Sequence, residues 1–322
     1  MPVPIFDGGV RLSTHASATT APEAAVDTAA EVDAIAISSC GGRERGSRRR
    51  PSSSTLASSS TAAMSSIALV TSIVALAPLR VSIGAASVPK SAINPLSNQD
   101  AHFALNDGSM ACLGVFDGVS AAPRSRAYAR KLASSLSAEL SRTATCDEAW
   151  ASQARRCLGT AEKAAGAIRG GASTACVCRI DLDRRTLGSY NLGDSGFMVV
   201  SDKGVSARSL PKLHREGMPY QLASRGTLSD KVSAGVTASH SLKAGQYVVV
   251  CSDGLTDNMS PADIGEFFAE FAGKMRTKQL ARRLAVEAQS RGLKADDISV
   301  VVARLYDADE PPTPPTPTPR RR

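Results

Sequence analysis

Apolar and polar positions follow short, regular patterns in the middle of this chain, whereas both ends lack a clear period. Runs of apolar and β-branched residues predict strands at 79–88, 112–116, 174–180, 187–192, 197–200, 205–208, 247–251 and 298–304. Apolar residues at helical spacing predict helices over 124–142, 262–272 and 277–290, and another that Asp147 caps and that runs toward Ile168. Residues 211–244 show no clear period.

The breaks between the central strands indicate how those strands pair. The breaks at 181–185, 193–196 and 202–204 are short and contain Gly, Asp or Ser. Short breaks of this kind are typical of hairpins, which join antiparallel neighbours. Helices grouped between antiparallel strands therefore predict one layered α+β domain over residues 79–306.

The two ends of the chain differ in composition from the middle. Residues 1–78 are rich in Ala, Ser and Thr, and no Asp or Glu occurs from Arg45 to Gln99. A Ser-rich, Arg-bearing, acid-free stretch is typical of a transit peptide. We therefore interpret 1–78 as a disordered targeting region that directs the chain to a mitochondrion or chloroplast; without such import the chain would be cytoplasmic. The Pro-rich residues 307–322 predict a disordered tail.

One apolar run within the N-terminal region has two readings. Residues 67–79 are too short to span a bilayer, which takes about 20 residues. The run is either part of a targeting peptide or the start of the fold, and we expect no stable membrane span.

Charge and cysteine content exclude some functional classes. Lys and Arg number 38 and Asp and Glu 30, for a net charge of +8. Part of this excess lies in the two Arg triplets at 48–50 and 320–322, so the chain as a whole gives little reason to expect a nucleic-acid partner. Seven cysteines, an odd number with no Cys-x-x-Cys pair, do not indicate a disulfide framework or a zinc site. We expect a reduced, intracellular protein.

Acidic residues recur at the ends of the predicted strands. The segments concerned are NQDAHF, VFDG, NLGDSG, SDGLTDN and KADDISVVV. Each Asp alone is most simply a turn residue, because Asp-Gly is common in hairpins. Five such placements together suggest converging carboxylates, which would repel one another unless a cation lay among them. Ligands that are all oxygen suit Mg²⁺ or Mn²⁺.

In order and spacing, these motifs resemble the metal-dependent Ser/Thr protein phosphatases of type 2C. The resemblance also includes GASTA at 171–175 and extends over about 79–305. Its first Asp-Gly is followed by Val, as in the organellar branch of that family. The resemblance implies a four-layer α-β-β-α sandwich of two antiparallel sheets with a metal cleft at one edge. It also implies hydrolysis of phosphoester bonds on a phosphorylated protein by a metal-activated water, and we expect a monomer.

The resemblance assigns site residues by position. Asp117 would bridge two metal ions, the Gly118 carbonyl would complete the second site, and Asp253 and Asp296 would hold the first ion. Asp117, Asp253 and Asp296 would thus be the catalytic set. Two Mg²⁺ or Mn²⁺ ions are implied.

Further acids have weaker implied roles. Asp194, Asp253 and Asp257 would line a third, weaker metal site, and Asp100 would assist through water.

The chain departs from the family pattern at several positions. Gln99 replaces the usual Glu, Val119 replaces an imidazole proposed as a general acid, and Ser120 begins the pair that replaces two glycines. His214 or a metal-bound water would then protonate the leaving group. These departures keep open a second hypothesis, a pseudophosphatase-like binding or regulatory protein with weak turnover. A third hypothesis is a metal hydrolase for small phosphate esters.

Overall fold

The computed structural model describes residues 77–310, except 92, 95, 96, 144–147 and 216. Within this part the chain forms strands and helices in the following order: β1 (Leu79–Val88), β2 (Ala101–Asn106), β3 (Met110–Phe116), α1 (Ser125–Arg142), α2 (Trp150–Ala165), β4 (Ala172–Ser173), β5 (Ala175–Asp181), β6 (Thr186–Leu192), β7 (Gly196–Ser201), β8 (Gly204–Arg208), β9 (Leu222–Ala223), β10 (Val236–Ser241), β11 (Tyr247–Cys251), α3 (Asp253–Thr256), α4 (Pro261–Phe271), α5 (Thr277–Arg291) and β12 (Ile298–Asp307).

The strands form two five-stranded antiparallel sheets. The first sheet has the order β1-β12-β11-β7-β8, and the second has the order β10-β6-β5-β3-β2. The short strands β4 and β9 pair separately. The predicted antiparallel pairing is therefore confirmed, and chain neighbours such as β5 and β6 do lie side by side.

The two sheets pack face to face through a buried apolar layer. In β11 the side chains alternate between the two faces of the first sheet. Val248 and Val250 face the second sheet, whereas Val249 and Cys251 face the helices. Both faces are covered, which explains why this strand is apolar at every position. Cys176 and Cys178 also lie in the inter-sheet layer, and the five cysteines that the structure describes are free thiols.

Helices cover the outer face of each sheet. The helices α1 and α2 pack on the second sheet, and Leu132 and Leu136 of α1 are fully buried there, as their spacing predicts. The helices α4 and α5 pack on the first sheet through residues such as Phe268 and Leu284. The resulting layers are helix, sheet, sheet and helix, so the predicted α-β-β-α sandwich is confirmed. No helix of the described residues is long and apolar enough to cross a membrane.

Three local predictions are wrong. The break at 193–196 is not a hairpin, because β6 belongs to the second sheet and β7 to the first. Strand β10 was not predicted within 211–244; it lies at a sheet edge, and its small and polar residues are mostly exposed, which removes the alternation that marks a strand. The second helix ends at Ala165 rather than near Ile168.

The predictions for the chain ends fall mainly outside the described residues. Of the apolar run at 67–79, the structure describes 77–79, and Leu79 is buried as the first residue of β1. The predicted cap Asp147 also lies outside. At the other end, β12 continues to Asp307, one residue into the predicted tail.

The inter-sheet layer gives a stability test. Leu113 of β3 is fully buried between the sheets, so Leu113→Ala should lower the free energy of unfolding by about 2–5 kcal/mol through lost burial and a cavity. Leu210, in the loop after β8, is 69% exposed, and Leu210→Ala should change it by less than about 0.5 kcal/mol. Urea unfolding followed by circular dichroism measures both, and equal effects would contradict the sandwich.

Candidate metal centre

Three carboxylates meet where strands of both sheets end. Asp117 directly follows β3, Asp194 lies in the connection from β6 to β7, and Asp253 begins α3 just after β11. Each offers a carboxylate oxygen, and these oxygens lie within 4.8 Å of one another. The structure thus brings together acids that are up to 136 positions apart in the sequence, at the place where the strand ends predict a cluster.

The proximity of these acids changes their protonation. Burial, followed by the charges of Asp100 and Asp253, raises the pKa of Asp117 well above its usual range. Burial and the charge of Asp253 raise the pKa of Asp194 to about 6. Burial also acts to raise the pKa of Asp253, but its interactions with the Asp117 carboxyl and the Lys294 ammonium group outweigh burial and leave that pKa below its ordinary value. Without a cation, the cluster relieves repulsion by holding protons.

Asp100 lies behind this cluster and is 4% exposed. Its Oδ2 accepts a hydrogen bond from the Ser252 hydroxyl at 2.8 Å, while its Oδ1 has no hydrogen-bond partner within the described part of the chain. Burial raises its pKa to about 8. Ser252 also accepts a hydrogen bond from the Ser299 amide at 2.9 Å, so it ties the starts of β2, α3 and β12 together. Ser252 directly precedes Asp253, but the sequence pattern alone does not indicate this linking role.

Thr174 links the positions of Asp117 and Asp194. The Asp117 amide donates to Thr174 Oγ1 at 3.1 Å, and the Thr174 amide donates to the Asp117 carbonyl at 2.9 Å. The Thr174 hydroxyl also shares a 2.7 Å hydrogen bond with the Ser195 hydroxyl, next to Asp194. The GASTA segment therefore fixes the positions of two acids through the hydrogen bonds of Thr174.

Glycine follows two of the acids because other backbone segments pass very close. A Cβ on Gly118 would lie 2.6 Å from the Gln99 carbonyl oxygen, and one on Gly254 would lie 2.2 Å from the Asp297 carbonyl oxygen. Both distances are shorter than any real Cβ contact, so a larger residue would push the segments apart. The glycines thus let the Gln99 and Asp297 segments approach Asp117 and Asp253.

Asp296 and Asp297 are neighbours with different environments. Asp297 is 3% exposed, and its two carboxylate oxygens accept hydrogen bonds from the Lys90 and Gln99 amides at 2.8 and 2.9 Å. Asp296 instead lies toward the cluster, and burial together with the charge of Asp253 raises its pKa. Asp297 therefore holds the segment before β2 in place, whereas Asp296 faces the ammonium groups of Lys90 and Lys294 at 3.9 and 3.6 Å.

The ammonium group of Lys294, a residue that the sequence pattern does not single out, lies among the acids. The Lys294 Nζ is 2.9 Å from Asp253 Oδ2, 2.5 Å from Asp257 Oδ2 and 3.6 Å from Asp296 Oδ2. Asp257 and Asp296 thus contact Lys294. Neither belongs to the group of three carboxylates whose oxygens lie within 4.8 Å of one another. Lys294 is the Lys of KADD, two positions before Asp296, and this position alone does not indicate a contact with Asp253 or Asp257.

His214 is engaged away from these acids. Its Nε2 lies 3.1 Å from Asp230 Oδ2, and its ring stacks on Tyr220 with centroids 4.0 Å apart. Among the described residues these contacts stay within the segment after β8. The structure therefore offers no contact that brings His214 to the carboxylates as a proton donor for a leaving group.

The donor set fits a hard divalent cation. All the side-chain donors of the cluster are carboxylate oxygens, and Asp253 Oδ1 is buried without a hydrogen-bond partner in the described residues. Buried oxygens of this kind are rarely left unpaired. Mg²⁺ and Mn²⁺ prefer such ligands, and a bound cation would remove the repulsion that raises the pKa of Asp117.

A family model described as stage II sporulation protein E (SpoIIE) matches residues 105–306 of the chain. The chain belongs to this family of type 2C phosphatase domains. The match runs from β2 to β12, so it includes the strand ends that carry Asp117, Asp194, Asp253 and Asp296. The predicted family resemblance is confirmed.

Curated relatives of the family carry phosphatase names. A protein phosphatase PTC7 homolog fig from Drosophila grimshawi is 34% identical over 135 residues, which are 39% of this chain and 44% of the relative. A protein phosphatase PTC7 homolog from Danio rerio is 38% identical over 95 residues, which are 28% of this chain and 32% of the relative. The matched residues therefore span less than half of the length of the first relative and about a third of the length of the second.

Solved structures of two phosphatases share the fold of this chain. The X-ray structure of the photosystem II phosphatase PBCP has a TM-score of 0.58 and 22% identity, and it covers 70% of this chain and 98% of its own. The catalytic domain of the serine threonine protein phosphatase PstP, in complex with 2 manganese ions, has a TM-score of 0.55 and 18% identity and covers 71% of this chain and 100% of its own. At these identities the likeness establishes the fold.

The raised pKa values predict how the metal-free protein responds to pH. Asp100 has its pKa raised from 3.8 to about 8, so its contribution to stability is present below pH 3.8 and is lost as pH rises through about 8. Asp117 and Asp194 act in the same direction. In EDTA, the Tm should therefore fall between about pH 4 and about pH 8, as followed by scanning fluorimetry.

Two controls accompany this measurement. Asp100→Asn removes one titrating group and should make the fall shallower, and saturating Mn²⁺ should abolish most of it. A Tm that rises or stays constant over this range in EDTA would contradict the buried, mutually repelling carboxylates.

Proposed function

We propose that this chain is a Mg²⁺- or Mn²⁺-dependent protein serine/threonine phosphatase, a hydrolase of phosphoric monoesters. The observation that carries the proposal is the meeting of Asp117, Asp194 and Asp253, whose oxygens lie within 4.8 Å of one another. Membership of a phosphatase family, the PTC7 names of the relatives and the 2 manganese ions in the PstP complex support it.

The family resemblance implies which residues would hold the metal ions. Asp117 would bridge two ions, Asp253 and Asp296 would hold the first, and the Gly118 carbonyl would complete the second. When bound, the two ions would acidify a water molecule and stabilise the attacking and leaving oxygens of the phosphoryl group.

The chain's own residues would orient the site. Thr174 holds Asp117 through two backbone hydrogen bonds, and Asp297 holds the segment that carries Gln99. Asp100, with its unpartnered Oδ1, would accept a hydrogen bond from a water at the site. Val119 supplies no proton, and His214 is paired with Asp230, so water at the site would protonate the leaving group.

The proposal extends to the cell and to the ends of the chain. Residues 1–78 would be a disordered targeting region, 79–306 the catalytic domain and 307–322 a disordered tail. The acid-free, Ser- and Arg-bearing stretch supports import into a mitochondrion or chloroplast. A phosphorylated protein would be the substrate, and the catalytic domain would act as a monomer.

Removing a metal-holding carboxylate should abolish turnover. With millimolar Mn²⁺, Asp117→Asn and Asp253→Asn should each lower phosphate release from a phosphoserine or phosphothreonine peptide by more than about 100-fold, since loss of an outer partner of a ligand alone costs 10–100-fold. Asp202→Asn, in the exposed turn between β7 and β8, is the matched control and should retain full activity.

Other outcomes of these assays would support one of the two alternative hypotheses or overturn the proposal. Wild-type protein that binds Mn²⁺ but releases no phosphate from the peptides or from an aryl phosphate would support the binding-protein hypothesis. Faster hydrolysis of small phosphate metabolites than of phosphoprotein would favour the small-ester hydrolase. Full activity in EDTA would overturn the metal-dependent account.

A further inference from the structure

Lys294 places a positive charge where the acidic cluster opens to solvent. It lies between α5 and β12, and its Nζ contacts Asp253 and Asp257 at 2.9 and 2.5 Å and Asp296 at 3.6 Å. Asp253 and Asp257 lie one helical turn apart, so their carboxylates face the same way. One ammonium group therefore contacts carboxylates from two segments, the turn that begins at Asp253 and the residues just before β12.

The backbone of Lys294 is fixed independently of its charge. The side chain of Asn258, which is 1% exposed, accepts from the Lys294 amide at 3.0 Å and donates to its carbonyl at 2.9 Å. The same Asn258 amide donates to the Gly254 carbonyl at 2.8 Å, inside α3. A buried, fully hydrogen-bonded side chain thus ties Lys294 to the helix that carries Asp253.

This fixation matters because the Lys294 side chain is 48% exposed. An exposed ion pair usually contributes little, since ordering a long side chain costs entropy and solvent screens the charges. Here the backbone is already held by Asn258, so less conformational entropy is lost on pairing, and two carboxylates bind the same ammonium group at short distance.

The position of Nζ leaves no space for a metal ion on the same oxygens. A Mg²⁺ ion would need to lie about 2.1 Å from each ligand oxygen. The ammonium nitrogen already lies 2.9 Å from Asp253 Oδ2 and 2.5 Å from Asp257 Oδ2, so an ion bridging these two atoms would collide with it. Asp253 Oδ1 remains without a partner in the described structure and is available to a metal on its other side.

We propose that Lys294 is a tethered cation that takes the place of a third divalent ion at Asp253 and Asp257, so that this chain binds two metal ions rather than three. The inference rests on the proposed metal-dependent function. It makes Asp257 a partner of Lys294 rather than a metal ligand, and it replaces the third, weaker site that the family resemblance implies. Lys294 is a positioning residue, since it acts through Asp253.

Counting bound Mn²⁺ in the full-length protein tests the proposal. Equilibrium dialysis with millimolar Mn²⁺, read by elemental analysis, should give two ions per chain for the wild type. Lys294→Met removes the charge but keeps the chain length, and it should gain a third ion. Lys294→Arg retains the charge and should stay at two, as should the control Lys203→Met in the exposed turn between β7 and β8.

A second variant makes the test independent of how Lys294→Met folds. Asp257→Asn should still bind two ions, because Asp257 pairs with Lys294 and not with a metal. Three ions on the wild type, a loss of one ion in Asp257→Asn, or an unchanged count in folded Lys294→Met would overturn the inference. Absence of Mn²⁺ binding by the wild type would instead refute the proposed function, so the two failures are distinguishable.

Discussion

Carboxylates that lie close together in a partly buried site repel one another, and this constraint governs the edge of the sandwich. Asp117, Asp194 and Asp253 cannot all be charged at small cost with their oxygens within 4.8 Å. The fold tolerates them because the strand ends and their hydrogen bonds are rigid. It balances them with protons, with the Lys294 ammonium and, in the proposed function, with divalent cations.

The rigidity comes from small polar residues that join distant parts of the chain. Thr174 links Asp117 to Ser195, Ser252 links Asp100 to β12, and Asn258 links α3 to Lys294. Each of these side chains is buried and hydrogen-bonded, which costs little because its partners are satisfied. The two sheets are packed on both faces, so the segments that these hydrogen bonds join are rigid.

The strands and most of the acids were predictable from the sequence because both follow local rules, whereas the four-layer order followed from the family resemblance. Apolar alternation gave the strands, and Asp beside Gly at strand ends gave Asp117 and Asp253. Lys294 was not predicted, because its contact with Asp257 depends on how α5 returns to the cleft, and a lone Lys between a helix and a strand carries no local signal. Strand β10 was missed since its residues are exposed and small.

The most direct test of the metal centre is a crystal structure of the protein soaked in Mn²⁺, with anomalous scattering used to locate the ions. The account predicts two anomalous peaks within coordination distance of Asp117, one of them also on Asp253 and Asp296, with the Lys294 ammonium still against Asp257. Density without any peak at Asp117 and Asp253, under conditions where the crystals are saturated with Mn²⁺, would contradict it.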